Sequence, residues 1–140
     1  MNSLSALPFA GVGIGTPVGP FTVAVSPAAN ERYWASAGVD HPALRAGALY
    51  PPIAANLTIL ATQTVVDRPL IQTAQQIVSH CQATAGVELT VTGTVTDRYE
   101  KRGRDYAVVT ADITLPNGSL LWTSIATFCE AGHERSGNLR

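Results

Sequence analysis

Apolar and polar residues alternate most regularly between Val87 and Tyr99. There Leu89, Val91, Gly93 and Val95 interleave with Glu88, Thr90, Thr92 and Thr94. A period of two sends each set to one face of a strand. Similar runs predict strands over Phe21–Val25, Ile71–Thr84, Tyr106–Leu115 and Ser119–Cys129. Lys101-Arg102-Gly103 reads as a tight turn. Asn117-Gly118 reads as a two-residue hairpin turn in which both positions take positive φ.

Two segments follow a helical period instead. Ser26-Pro27 is a helix start, because Ser caps well and Pro is tolerated at the first helical position. That helix is expected over 27–37, with Gly38 as its left-handed stop and Tyr33, Trp34 and Ala37 as its buried stripe. A loop follows, from Val39 to Gly47. After Tyr50-Pro51-Pro52 a second helix is expected from Ile53 to about Val66, with Ile53, Leu57, Leu60, Ala61 and Thr64 on one side. Ala54, Ala55, Ile59 and Val65 are small or apolar too, and a helix apolar nearly all round is a buried one. Asp67-Arg68-Pro69 should end it.

The order is therefore strand, helix, loop, buried helix, then four strands. This predicts a single α+β domain over 21–130, an antiparallel sheet wrapped around a long central helix. Residues 1–20 read as an irregular lead-in and 131–140 as a flexible tail. Gly11, Gly13 and Gly15 superficially match a dinucleotide loop, but they follow no strand and open no helix.

The chain has 140 residues, 46% apolar and only 14% charged. So little charge leaves surface to bury against another subunit. One sheet with one helix also leaves a face and a strand edge uncovered. Both arguments predict a dimer. The formal net charge of −1 gives no field to hold nucleic acid. Neither a secretory signal nor a membrane span is apparent, so a cytoplasmic protein is expected. The two cysteines, Cys81 and Cys129, have no metal-type spacing. Both sit in strand-like apolar runs, where free Cys behaves as a small buried hydrophobe.

Three segments together resemble the MaoC-like hydratase/dehydratase family of hotdog proteins, especially its fatty-acid-synthase-type dehydratase subgroup. They are Tyr33-Trp34-Ala35-Ser36-Ala37-Gly38-Val39-Asp40-His41-Pro42, Gly47-Ala48-Leu49-Tyr50-Pro51-Pro52, and Gly86-Val87-Glu88-Leu89 leading into Val95 to Arg104. The resemblance spans about residues 20–130. It implies a hotdog fold and the hydration or dehydration of acyl thioesters of coenzyme A or a carrier protein, with no cofactor. The active members use an Asp and a His in a motif resembling Gly-Asp-x-Asn-Pro-x-His. On this chain Gly38, His41 and Pro42 match its Gly, Asn and Pro, while the Asp and His positions hold Val39 and Leu44.

That departure bears on mechanism. Hydrating an enoyl thioester needs a base for water, an acid for the α-carbon and donors for the thioester oxygen. Val39 and Leu44 supply no proton transfer. Asp40 and His41 form either a displaced dyad or ordinary loop residues, since neighbours in an extended segment point apart. Ile53, Ala54 and Ala55 open the helix after Pro51 and Pro52. They either offer N–H groups to the oxygen or simply pack the helix, and Tyr50 stands beside them as a substrate contact. Lys101, Arg102 and Arg104 either meet the phosphates of a coenzyme A or pantetheine arm or form a solvated hairpin tip. His80 and Cys81 should face opposite ways, which disfavours a nucleophilic pair. Gln72, Gln75 and Gln76 either bond a ligand or face solvent.

Two functions follow. In one, the chain is an acyl-thioester-binding subunit that shapes the acyl tunnel while a second hotdog subunit supplies catalysis. In the other, it is a self-sufficient hydro-lyase using Asp40 and His41. A thioesterase is disfavoured, because residues 53–66 hold no Asp or Glu.

Overall fold

The computed structural model describes residues 9, 12–38, 41–42 and 46–130. The chain runs β1 (Pro17–Ala24), α1 (Pro27–Ala37), α2 (Ile53–Thr62), β2 (Leu70–Ser79), β3 (Glu88–Lys101), β4 (Arg104–Thr114) and β5 (Leu120–Glu130). The five strands form one antiparallel sheet in the order β1-β3-β4-β5-β2, and α2 packs on its inner face.

The α1 caps are those the sequence predicts. Ser26 Oγ accepts from the Ala29 N–H at 3.1 Å, and Gly38 takes φ 69°. Its inner side differs from expectation. Asn30 and Trp34 are buried, Tyr33 is half-buried and Ala37 is exposed. Asn30 stands one turn before Trp34, so the two share a face.

Helix α2 stops at Thr62, four residues early. Beyond it the turns tighten to i→i−3 bonds, Thr64 N–H to Ala61 O and Val65 N–H to Thr62 O, both 3.1 Å. The Thr62 and Thr64 hydroxyls donate to the carbonyls of Thr58 and Ala61, the back-bonding by which Thr competes with a helix ladder. One side is buried, formed by the rows Ile53-Leu57-Ala61 and Ala54-Thr58-Thr62. Leu60, expected inside, lies off both rows and is 50% exposed. The helix is thus shorter than expected and has a solvent face.

Strand β1 begins at Pro17 rather than Phe21, inside the expected lead-in. Ahead of it Phe9 and Val12 belong to the core. Arg98 holds them there. Its Nη1 donates to both their carbonyls, its Nε to Tyr106 O, and its Nη2 to both oxygens of Asp105. The guanidinium also sits 5.3 Å from the centroid of the Phe9 ring.

Strands β3, β4 and β5 pair in chain order, but β2 does not lie beside β3. It pairs with β5, from Leu70↔Glu130 to Ser79↔Trp122, and ends at Ser79 rather than Thr84. The next residues leave the sheet and return to bridge Thr84 to Ala48. At Gly93 the sheet closes up, since a Cβ there would stand 2.5 Å from Thr110 O. Only glycine permits that approach.

The two predicted turns differ. Arg102 and Gly103 both take positive φ (55° and 78°), the two-residue hairpin geometry. Asn117 does not. Pro116 fixes a negative φ at the first corner, Gly118 alone is left-handed (φ 88°), and its N–H reaches Leu115 O at 2.8 Å. The result is a three-residue loop.

Candidate functional site

The approach to α2 is pinned from two sides. From α1, the Asn30 Nδ2 and Trp34 Nε1 donate to Ala48 O at 2.9 and 2.8 Å. Asn30 Oδ1 accepts from the Tyr50 N–H at 3.0 Å. From the segment after β2, Ala83 O accepts the Leu49 N–H and Gly47 O accepts the Ala85 N–H. The Tyr50 ring meets Trp34 edge-on at 4.9 Å and stacks on Tyr33 at 6.3 Å. Tyr33 in turn accepts a hydrogen bond from Asn56 of α2 at 3.0 Å. A lone Asn in a helix looks solvent-facing in sequence. Only its place one turn before Trp34 hints otherwise.

Beside this mouth lies a cleft of about 200 Å³. Trp34 and His41 form one side, Ala48 and Pro51 the helix mouth, Ser79 and Cys81 the end of β2, and Trp122 the start of β5. His41 stacks nearly parallel to Trp34, 6.4 Å between ring centroids, and is otherwise exposed. Trp122 is 1% exposed. It shares a strand face with Ser124, whose Oγ lies 2.7 Å from Thr58 Oγ1 of α2, so that face looks onto the helix. Thr58 donates onward to Ala54 O, and Gln75 Nε2 donates to Ser124 Oγ at 2.8 Å. This polar chain crosses from the sheet edge to the central helix with each member partnered.

The cleft has the composition of a small-molecule site, mostly apolar with few polar groups. The described residues that line it carry no carboxylate and no ammonium or guanidinium.

The expected site residues separate. His41 reaches the cleft. Asp40, Val39 and Leu44 lie outside the described residues. Tyr50 is half-buried in the aromatic cluster beside Trp34. Ile53, Ala54 and Ala55 were expected either to offer N–H groups or to pack the helix. Those groups already donate to the carbonyls of Tyr50, Pro51 and Pro52 at 3.0, 2.9 and 3.1 Å. The prolines wind a turn ahead of the helix, and its carbonyls absorb the first donors.

Lys101, Arg102 and Arg104 stand at the β3–β4 tip, the end of the sheet where Tyr106 pairs with Cys129. The cleft lies at the other end, where Ile113 pairs with Trp122. From residue 104 to 113 a strand rises roughly 30 Å, so one chain does not bring these residues to its own cleft. Cys129 is buried, but Cys81 is exposed at the cleft, contrary to expectation. It follows the end of β2, where the chain has turned out of the sheet. His80 bonds Thr123 Oγ1 at 2.9 Å. Among the described residues no cluster of His, Cys, Asp or Glu could hold a metal, and no helix is long and apolar enough to cross a membrane.

No protein-family description and no curated protein matches this chain. Solved structures do. The HadBC 3R-hydroxyacyl-ACP dehydratase complex of Mycobacterium tuberculosis superposes with a TM-score of 0.71 at 20% identity, covering 83% of this chain and 96% of that one. The (R)-hydratase of A. caviae involved in PHA biosynthesis gives 0.67 at 16%, covering 84% and 96%. A MaoC-like dehydratase from Rhodospirillum rubrum gives 0.66 at 17%, covering 89% and 96%. The chain has the hotdog fold of these structures.

Proposed function

We propose that this chain is an acyl-thioester-binding hotdog subunit of an enoyl-thioester hydratase or 3-hydroxyacyl dehydratase, acting with a second hotdog subunit that supplies proton transfer. One observation supports the reading: the cleft at the mouth of α2 is lined mostly by apolar residues, yet the chain has Val39 and Leu44 at the motif's acid–base positions. In this role the apolar walls hold the acyl chain, and His41 on Trp34 flanks the thioester. The carrier is coenzyme A or an acyl carrier protein.

The second subunit pairs along β2. This edge strand, Leu-Ile-Gln-Thr-Ala-Gln-Gln-Ile-Val-Ser, holds no charge and no Pro, the devices that normally protect an edge. Ile71 and Val78 on it are 39% and 40% exposed. Antiparallel pairing there sets the Leu70 end of one chain beside the Ser79 end of the other. The Lys101, Arg102 and Arg104 tip then lies about four strand spacings, roughly 20 Å, from the partner's cleft. That suits a role in meeting the phosphates of a thioester held by the partner.

A second reading has His41 at the cleft in its favour: a self-sufficient hydratase in which Asp40 and His41 act as a displaced dyad. Hydratase activity on a 2-enoyl-coenzyme A separates the two. The subunit reading expects turnover only after a hotdog chain with the intact motif is added. Turnover by this chain alone, abolished in Asp40→Asn and His41→Ala, establishes the second reading instead.

A further inference from the structure

The β3–β4 tip carries an aromatic pair that neither the core nor the cleft uses. Tyr99 and Tyr106 stand opposite each other on the two strands, and their rings stack with 5.0 Å between centroids and 7° between planes. Arg98 and its cross-strand neighbour Ala107 face the core, so by alternation Tyr99, Lys101, Arg104 and Tyr106 share the outer face. Tyr99 is 38% exposed. Tyr106 covers one side of its ring. On the other side no described strand stands beside it, because β1 pairs with β3 only as far as Thr94.

The charge around this pair is mostly positive. Lys101, Arg102 and Arg104 are three of the chain's nine Lys and Arg residues. Of the nearby acids, Asp105 is held on the inner face by two bonds from Arg98, at 2.7 and 2.8 Å, and Glu100 falls on that face too. Asp97 is on the outer face, where its Oδ1 accepts the Arg98 N–H. An exposed ring beside cations suits a nucleotide, since aromatic side chains stack bases while Lys and Arg meet phosphates. Lys101 lies two residues beyond Tyr99 on one face, roughly 7 Å along the strand, a gap that a ribose spans.

We infer that the tip binds an adenosine 5′-diphosphate group, with the base stacked on Tyr99 and the phosphates held by Lys101 and Arg104. Tyr106 fixes the Tyr99 ring before the ligand arrives, so little side-chain freedom is lost on binding. The source of that group rests on the acyl-thioester reading above: it is the nucleotide end of coenzyme A. A carrier protein's phosphopantetheine arm has no base to stack.

The test is calorimetric titration of the purified full chain with coenzyme A, ADP and 4′-phosphopantetheine. Coenzyme A and ADP should bind, and 4′-phosphopantetheine should bind at least about tenfold more weakly than coenzyme A, the weight of one base–aromatic stack. Tyr99→Ala should weaken coenzyme A and ADP by a similar factor and leave 4′-phosphopantetheine unchanged. Tyr99→Phe keeps the ring and should bind as the wild type does. Replacing Lys101 and Arg104 together with Gln should weaken all three probes. ADP bound in this Tyr99-dependent way without coenzyme A supports the nucleotide site and makes a free nucleotide its source. Coenzyme A held equally by the wild type and folded Tyr99→Ala, or matched by 4′-phosphopantetheine, overturns the inference and leaves the acyl-binding reading standing. An oligo(dA) strand bound more tightly than ADP assigns the tip to nucleic acid and overturns it as well, as does no binding of either nucleotide. The acyl-binding reading is checked apart from the tip, because Trp34 and Trp122 line the cleft and report butyryl-pantetheine there by fluorescence. Silence in that titration overturns the acyl reading and not the nucleotide site.

Discussion

Asn30 is where one side chain does most to fix the site. It is 2% exposed, and its amide both accepts from Tyr50 and donates to Ala48 O. Asn30→Ala leaves the Tyr50 N–H without its partner inside the protein, which costs about 1–3 kcal/mol. Urea unfolding should show a midpoint lowered accordingly. A change near zero would mean that the segment 48–50 is held by packing alone. The caps of α1 were legible in the sequence because Ser26, Pro27 and Gly38 act through their own backbone. Asn30 was not, since its role depends on Ala48 and Tyr50, eighteen and twenty residues away. For the same reason the sequence left the N–H groups of Ile53, Ala54 and Ala55 undecided: it shows Tyr50, Pro51 and Pro52 but not where their carbonyls turn.

Elements with a strong period were read correctly in kind. β3 is the clearest, its alternation matching buried Leu89, Val91 and Val95. What the pattern did not carry was long-range order. Nothing local distinguishes β2 beside β3 from β2 beside β5, because that choice is made by the 80–87 link folding back to Ala48. The end of α2 was misplaced because Thr62 and Thr64 bond back to the helix before Pro69 is reached. At the level of elements the sharpest test is Gly93→Ala. Its new methyl would fall 2.5 Å from Thr110 O and 2.9 Å from Ala111 Cα. Forcing β3 from β4 should cost about 1–3 kcal/mol, as overpacking does elsewhere. Thermal unfolding reads it, and an unaltered Tm would show that the two strands are not so closely joined.

For the whole molecule, the uncharged edge of β2 is the feature that a lone chain leaves unexplained. Replacing both Ile71 and Val78 with Lys puts charge on that edge and should convert the assembly to single chains in sedimentation velocity, with each chain still folded. An unchanged assembly would move the interface elsewhere. The hotdog architecture was legible from the run of elements together with the motif-like segments. Half of the candidate site was not, because the cleft is closed by Cys81 and Trp122, which come from a turn and a strand far from the motif loop in sequence.

Whether this chain moves protons for itself separates the two functional roles. The most direct measurement is the loss of enoyl absorbance when the purified chain alone is given 2-butenoyl-coenzyme A. No turnover above the uncatalysed rate is expected. Turnover that vanishes in both Asp40→Asn and His41→Ala would contradict the subunit reading, and would show that a displaced dyad does the work assigned here to a second subunit.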